Sequence, residues 1–416
     1  SAASTGPDGA YMTILGSLPA ALSADPSSSC LIAYGTGTTA AALLSSDGVD
    51  RIDIVEISEA VLGLSPWFSS ANGGLLPLEG LAGESRLHIQ DGRRFLEQEG
   101  DPWGVIPLEP FPPYAPGATH LYSQEFYAAA RRRLAAGGVL AAWVPLHAVS
   151  PAEARACLAA FLAVFPEGCL WRWGTSAILT GSPDGLPPER LDGALEQVPA
   201  AAAHFVARGQ DLIAWTGDSE PLSDDRPWPE MRPPRSGKDA LAWTVDNLRS
   251  LERSWVGDPL GIGSSAMRRA GRLLLSGMVA RHAAVVERRI PEPFLEGTSP
   301  WLLDAALGLA PELSEALEYR ARWAVDDTVL GARMAMRQPE DERHRNLGLL
   351  RRAELLGGDG RWDLHLIQAA LLASTGQAET AAGHLARARQ LCPRLEETRH
   401  WSEVAEWVGG LADLDG

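Results

Sequence analysis

Apolar runs and polar breaks alternate with a regular beat along the first 180 residues. Near-continuous apolar stretches at Cys30–Tyr34, Arg51–Ile57, Arg86–Ile89, Trp103–Leu108 and Val139–Val144 read as strands covered on both faces. Between them lie helical patterns. Ser123–Ala136 reads as a helix stopped by Gly137-Gly138, since glycine tolerates the left-handed turn that closes a helix. Ser150–Phe165 opens with a serine cap, Pro151 at the first helical position and Glu153 at the third, a capping-box pattern. Trp171 and Trp173 alternate as on a strand, which packing explains. Strand and helix in alternation predict an α/β fold, a doubly wound Rossmann-like sheet of the class I methyltransferase kind. Ligands of such sheets bind at the carboxyl ends of the strands.

Beyond Thr216 the pattern changes. Residues 217–237 (GDSEPLSDDRPWPEMRPPRSG) are charged and proline-rich and read as a boundary loop or linker. Helical periodicity then takes over. The run WDLHLIQAALLASTGQAETAAGHLARARQLCPR from Trp362 places Ala369, Leu372, Gly376, Ala381, Leu385, Ala388, Leu391 and Pro393 where a tetratricopeptide helix pair has its small and packing residues. The expected organisation is an α/β nucleoside-binding domain over 1–235, a helical region over 236–340, and an all-α, tetratricopeptide-like region over 341–416. One such unit cannot bury both faces alone, so its helices are expected to stack on their neighbours, on a protein partner, or on a second copy.

The 416 residues carry 36 basic and 53 acidic side chains, a formal net charge of -17. A field of that sign repels nucleic acid, and no nucleic-acid partner is expected. Cys30, Cys157, Cys169 and Cys392 form no CxxC pair, and Cys30 and Cys157 lie in apolar runs as small core residues do. No zinc, HExxH or Walker spacing is present, and no metal is expected. No apolar run reaches the ~18 residues of a membrane span, and no signal peptide is seen. The chain opens Ser-Ala-Ala-Ser without a methionine, as a piece of a longer protein would.

Four positions carry chemistry, all at expected strand ends. The turn Gly35-Thr36-Gly37-Thr38 follows the first strand, and its glycines let the backbone pass close to a ligand. Glu56 ends the second strand, where an acid accepts hydrogen bonds from both ribose hydroxyls. Asp91, after the third, is placed to accept from an adenine amino group, with Ile57 and Gly92 beside the two acids. Glu109, after the fourth, then faces whatever the adenosine carries. His120 and His147 flank the cleft, where either could assist proton transfer, but they read first as loop histidines without a role, and Arg131, Arg132 and Arg133 as charges that offset a helix dipole.

These residues also carry a resemblance. The pieces LGSLPAAL, IAYGTGTTAAAL, IDIVEISEAV, IQDGRRFL, the long segment from Pro107 to His147, and SDDRPWPEM together resemble the spermidine synthase (polyamine aminopropyltransferase) family. Within it they are most similar to the branch in which this domain follows a membrane transporter-like bundle. The resemblance spans about Tyr11 to Arg232. It implies decarboxylated S-adenosylmethionine as co-substrate and transfer of its aminopropyl group to a small-molecule amine, with methylthioadenosine released. It implies Gly35 and Gly37 on the ligand side, Glu56 at the ribose, Asp91 at the adenine, Glu109 where the family has its catalytic aspartate, and Tyr11 and Tyr122 on the substrate side, Tyr122 near the active-site mouth.

It also exposes departures. Thr38 stands where the family has an aspartate that holds the donor's ammonium, and Pro112 where it has a second carboxylate. The family's tyrosine-histidine-glutamate run appears as Tyr11-Met12-Thr13. Fewer anionic contacts make putrescine a poor fit, because unpaired ammonium groups are costly to desolvate. A neutral Thr38 suits S-adenosylmethionine, which keeps its carboxylate. Two other readings stay open: a methyltransferase on the same fold, and a non-catalytic nucleoside-binding scaffold whose helical repeat binds a partner. The expected location is the cytoplasm or, with a membrane tether outside this chain, the cytoplasmic face of a membrane.

Overall fold

In the computed structural model the described residues are 11–76, 85–232, 237–254, 266–287 and 362–393, with scattered positions between 302 and 351 and between 395 and 410. The chain divides into two compact units, residues 1–290 and 291–416.

The first unit is built on one eight-stranded sheet. Its strands are β1 (Ser28–Ile32), β2 (Arg51–Glu56), β3 (Arg86–Ile89), β4 (Trp103–Leu108), β5 (Leu134–Pro145), β6 (Cys169–Trp173), β7 (Ser176–Gly181) and β8 (Phe205–Arg208). They lie in the order β3-β2-β1-β4-β5-β7-β6-β8. The first five are parallel, and β7 enters antiparallel to β5 and to β6. This is the doubly wound, methyltransferase-type α/β arrangement expected from the alternation. The chain leaves β1 in one direction across the sheet toward β2 and β3, and returns to its other side at β4. That reversal opens a crevice at the carboxyl ends of β1 and β4.

Helices join and flank these strands. They are α1 (Tyr11–Leu22), α2 (Thr38–Leu44), the short α3 (Glu59–Gly63) and α4 (Ser69–Asn72), then α5 (Gly92–Glu97), α6 (Gln124–Arg132), α7 (Pro151–Leu162), α8 (Pro188–Gln197), α9 (Gly209–Thr216), α10 (Gly237–Ser254) and α11 (Ala266–Glu287). The capping box at Ser150 and Glu153 is formed. One cluster of buried side chains joins α1 to β5, β6, β7 and α8 through Leu15, Leu18, Trp143, Trp171 and Leu191. A second joins α1 and α2 to β1, β2 and β4 through Ala20, Leu43, Leu31, Ile54 and Val105.

Three local expectations are corrected. The helix expected over Ser123–Ala136 stops at Arg132, because Leu134 already pairs with Trp103 in the sheet. Gly137 therefore lies within β5, at φ 67°, where the register between β4 and β5 shifts. Its neighbour Arg133 does not merely balance a helix dipole. It lies 4.2 Å over the Trp103 ring and donates to the carbonyls of Leu96, Gln98 and Asp101. The first strand ends at Ile32 instead of Tyr34, since Ala33 takes φ 69°. Residues 217–232 are not a linker. Leu222 is fully buried, its carbonyl accepts from Gln124 N and its amide donates to Ala156 O.

Helices α10 and α11, grouped by sequence with the helical region of 236–340, belong to the first unit. Asn247 on α10 donates to the carbonyls of Leu146 and Val149, each at 2.8 Å. In the second unit, helices Trp362–Ser374 and Ala378–Leu391 pack together across a turn with Gly376 at φ 74°. Ala369, Ala381, Leu372 and Ala388 are buried there. Among the described residues no helix is long and apolar enough to cross a membrane.

Helix α1 rests on α2 at Gly16. A Cβ there would sit 2.6 Å from Thr39 O and 2.9 Å from Leu43 N, so backbone has to move. Gly16→Ala is expected to destabilise the protein by about 1–3 kcal/mol, read as a lower urea midpoint with an unchanged slope.

Candidate active site

The turn after β1 is shaped by three positive φ angles, Ala33 (69°), Gly35 (56°) and Gly37 (81°). A Cβ on Gly37 would meet the Tyr34 hydroxyl at 2.3 Å. The turn is braced by residues distant in the chain. Asn72 Nδ2 donates to Thr36 O at 2.9 Å and to Ser65 O at 3.0 Å. The Tyr34 hydroxyl and Ser65 Oγ are 2.7 Å apart. Thr36 Oγ1 lies 2.8 Å from Thr38 Oγ1 and 3.2 Å from Met12 Sδ.

Glu56 ends β2 and is buried. One carboxylate oxygen accepts from Tyr34 N and the other from Ser58 N, both at 2.9 Å. An ionised carboxylate has about four acceptor positions, so each oxygen keeps capacity for a ligand hydroxyl. Asp91 caps α5, accepting from Arg94 N at 2.8 Å through Oδ1.

Glu56, Ile57, Asp91 and Gly92 line one cleft of about 620 Å³ with Ile32, Ala33 and residues of the β4–α6 loop. Ile57 and Phe111, two apolar side chains of the lining, are 68% and 66% exposed. Phe111 was not singled out by sequence.

Glu109 lies just past the end of β4, its amide donating to Ile32 O, but its carboxylate turns toward α1 and α2. It accepts from Tyr11 Oη at 2.5 Å and from Thr39 Oγ1 at 3.1 Å. Tyr11 stacks on Trp143 with ring centroids 5.3 Å apart. Enclosure without a cation pushes the Glu109 carboxyl up to about 7, against the pull of the two hydroxyl donors. Glu109, Tyr11 and the 35–38 turn thus sit beside the cleft lining, not in it. Tyr122 departs further from expectation. It is 0% exposed, in the core and not at a mouth, and its buried hydroxyl has no hydrogen-bond partner among the described residues.

The loop 217–232 contributes Asp224 to the cleft lining. Asp224 takes a bidentate pair of hydrogen bonds from Arg93, at 2.6 and 2.5 Å, and Arg93 also bonds Glu97 at 2.9 Å. His120 Nδ1 lies 3.2 Å from the same Asp224. Arg93, His120 and Asp224 all line the cleft, so His120 is no idle loop histidine. Arg93 chiefly holds the Asp224 carboxyl down to about 2. Glu230 accepts from the amides of Gly117 and Thr119 at 3.1 and 3.0 Å. Burial works against its charge, but those donors keep its carboxyl below the usual range. His147 lies elsewhere, its Nδ1 3.3 Å from Thr175 Oγ1.

No protein-family model matches the chain. A stretch of 147 residues is 32% identical to the polyamine aminopropyltransferase of Nitrosomonas europaea, covering 35% of this chain and 42% of that protein. The chain therefore spans less than half the length of the curated relative it matches. Among solved structures, a spermidine synthase in complex with the transition state analogue AdoDATO is 17% identical, with a TM-score of 0.37 over 53% of this chain and 73% of that one. The spermidine synthase from Thermotoga maritima is 16% identical, TM-score 0.37, over 53% and 74%. Human methyltransferase-like protein 13 in complex with SAH is 19% identical, TM-score 0.35, over 46% and 90%.

The Arg93–Asp224 pair joins the loop to α5. Because the folded-state carboxyl of Asp224 is depressed, its contribution is present above the ordinary aspartate range and is lost as pH falls through about 2. Asp224→Asn is expected to cost about 1 kcal/mol at pH 7 after solvent screening. The difference from wild type should vanish in acid unfolding curves near pH 2.

Proposed function

We propose that the first unit is a spermidine synthase-like transferase that binds S-adenosylmethionine or its decarboxylated form, breaks the bond from the sulfonium sulfur to the aminocarboxypropyl or aminopropyl group, passes that group to the nitrogen of a small-molecule amine, which gives up a proton, and releases methylthioadenosine. The observation that carries this reading is the meeting of Glu56 and Asp91 in one open cleft at the strand ends. Glu56 takes the ribose hydroxyls and Asp91 the adenine amino group. Ile57 and Phe111 cover the two faces of the purine. The sulfonium end then lies toward the 35–38 turn and Glu109. The partial match to a polyamine aminopropyltransferase supports the same chemistry.

Transfer from a sulfonium needs little beyond positioning and a base, because the thioether is already a good leaving group. Glu109 is the base. Its carboxyl, raised to about 7, can take a proton from an ammonium at neutral pH, and Tyr11 orients it. The donor form follows from charge. The side chains of the turn are the neutral hydroxyls of Thr36 and Thr38, bonded to each other, with no carboxylate among them. A tail that keeps both its ammonium and its carboxylate loses less there than one that carries a bare ammonium. S-adenosylmethionine is the preferred donor on that ground.

Two measurements test this. Glu56→Ala should weaken calorimetric binding of methylthioadenosine by about one to two orders of magnitude, as expected for lost charged hydrogen bonds of roughly 1.5–3 kcal/mol. Binding unchanged by the substitution removes the ribose role. Each sulfonium donor should be incubated with the protein and an amine, and the nucleoside product identified by mass spectrometry. Methylthioadenosine supports the proposal, and S-adenosylhomocysteine would convert it to methyl transfer. Turnover should rise with pH through about 7 as Glu109 ionises. Glu109→Gln should keep nucleoside affinity and lose about 100-fold or more in turnover.

A further inference from the structure

We infer that His120 reads the base of the bound nucleoside, its ring nitrogen Nε2 accepting the exocyclic amino group of adenine while Asp224 holds the ring in place. The inference rests on the nucleoside reading above and adds to it a residue that sets base specificity.

Asp91, Gly92 and Arg93 run consecutively into α5, and all three line the cleft. Arg93 grips Asp224 with two bonds, and Asp224 contacts His120. The chain of contacts therefore puts the imidazole at the Asp91 end, away from the side where Glu109 bonds Tyr11 and Thr39. With ribose at Glu56, that end receives the base.

The chemistry of the ring is fixed by its neighbour. An ionised carboxylate beside Nδ1 can only accept, so in the neutral ring Nδ1 carries the proton and Nε2 keeps its lone pair. The other charged groups on this wall are already engaged. The Arg93 guanidinium is held by Asp224 and Glu97, and the Glu230 carboxylate by two backbone amides. His120 itself is anchored, since its carbonyl accepts from Ser123 Oγ at 3.1 Å, and Ser123 caps α6. The side chain remains 41% exposed, open to the cleft.

Two acceptors, Asp91 and Nε2, match the two hydrogens of an adenine amino group. Hypoxanthine puts a carbonyl oxygen in the same place, where it faces lone pairs. A site built to accept from an amino group rejects the carbonyl analogue, because buried polar groups are then left unpaired.

The experiment is calorimetry with methylthioadenosine and methylthioinosine on the full chain, for wild type and three variants. Wild type should prefer the adenine ligand. His120→Leu should reduce the adenine-to-hypoxanthine affinity ratio about tenfold, and His120→Gln, which keeps an amide oxygen as acceptor, should recover part of it. Asp224→Asn gives a sharper signature. Its amide can donate to Nδ1, which turns Nε2 into a donor and moves the preference toward hypoxanthine. General loosening of the wall would lower both affinities together and leave the ratio alone. A ratio within twofold of wild type in His120→Leu overturns the assignment while leaving the nucleoside reading intact. Wild type that binds neither nucleoside overturns both.

Discussion

The site depends on a buried carboxylate that the fold cannot leave unpaired. Glu56 is removed from water at the end of β2, and an uncompensated charge there would cost several kcal/mol. The backbone supplies the compensation: Tyr34 N from the turn after β1 and Ser58 N from the start of the next helix. Those two bonds fix the turn against the strand end. They also explain why Ala33, a residue with a Cβ, tolerates φ 69°, a conformation that costs an L-residue roughly 1–2 kcal/mol. The strained turn and the buried acid stabilise each other, and the cleft takes its shape from the pair.

A second constraint acts from the other side of the turn. Helix α1 precedes the sheet in sequence, yet it carries Tyr11 to the end of β4, where the phenol meets Glu109. The stack on Trp143 holds the ring, and the close approach at Gly16 holds the helix. Glu109 thereby has two neutral donors and no cation, the arrangement that leaves desolvation dominant and its carboxyl near neutrality. An arginine in place of Tyr11 would pin the carboxylate in its charged form and remove its basicity.

How much of this was legible follows from the range of each interaction. Strands buried on both faces announce themselves as local apolar runs, and β2, β3 and β4 stand close to where the pattern put them. Glu56 and Asp91 were legible because strand-end positions follow from the strands. The approach of Asp224, from 217–232, to the cleft was not. Arg93 and Asp224 are 131 positions apart, and no local period links them. The same prolines and charges that suit a loop folded back on a cleft also suit a linker. Gly137 misled for a related reason. Glycine after a helical run signals a cap, and only the pairing of Leu134 with Trp103 shows that the strand has already begun. Tyr122 was named by resemblance alone, and a resemblance carries no information on burial.

The acidic balance of the chain gains meaning only when it is located. A net charge of -17 suggests a surface ready for cations, yet the carboxylates around the cleft are largely engaged by the protein itself. Asp224 is neutralised by Arg93, Glu230 holds two amides, and Asp91 caps a helix. A cation entering the cleft meets carboxylates that already hold donors, in bonds of the charge-assisted kind that contributes most. The distribution of committed carboxylates, more than their number, sets the charge that this cleft offers to a ligand.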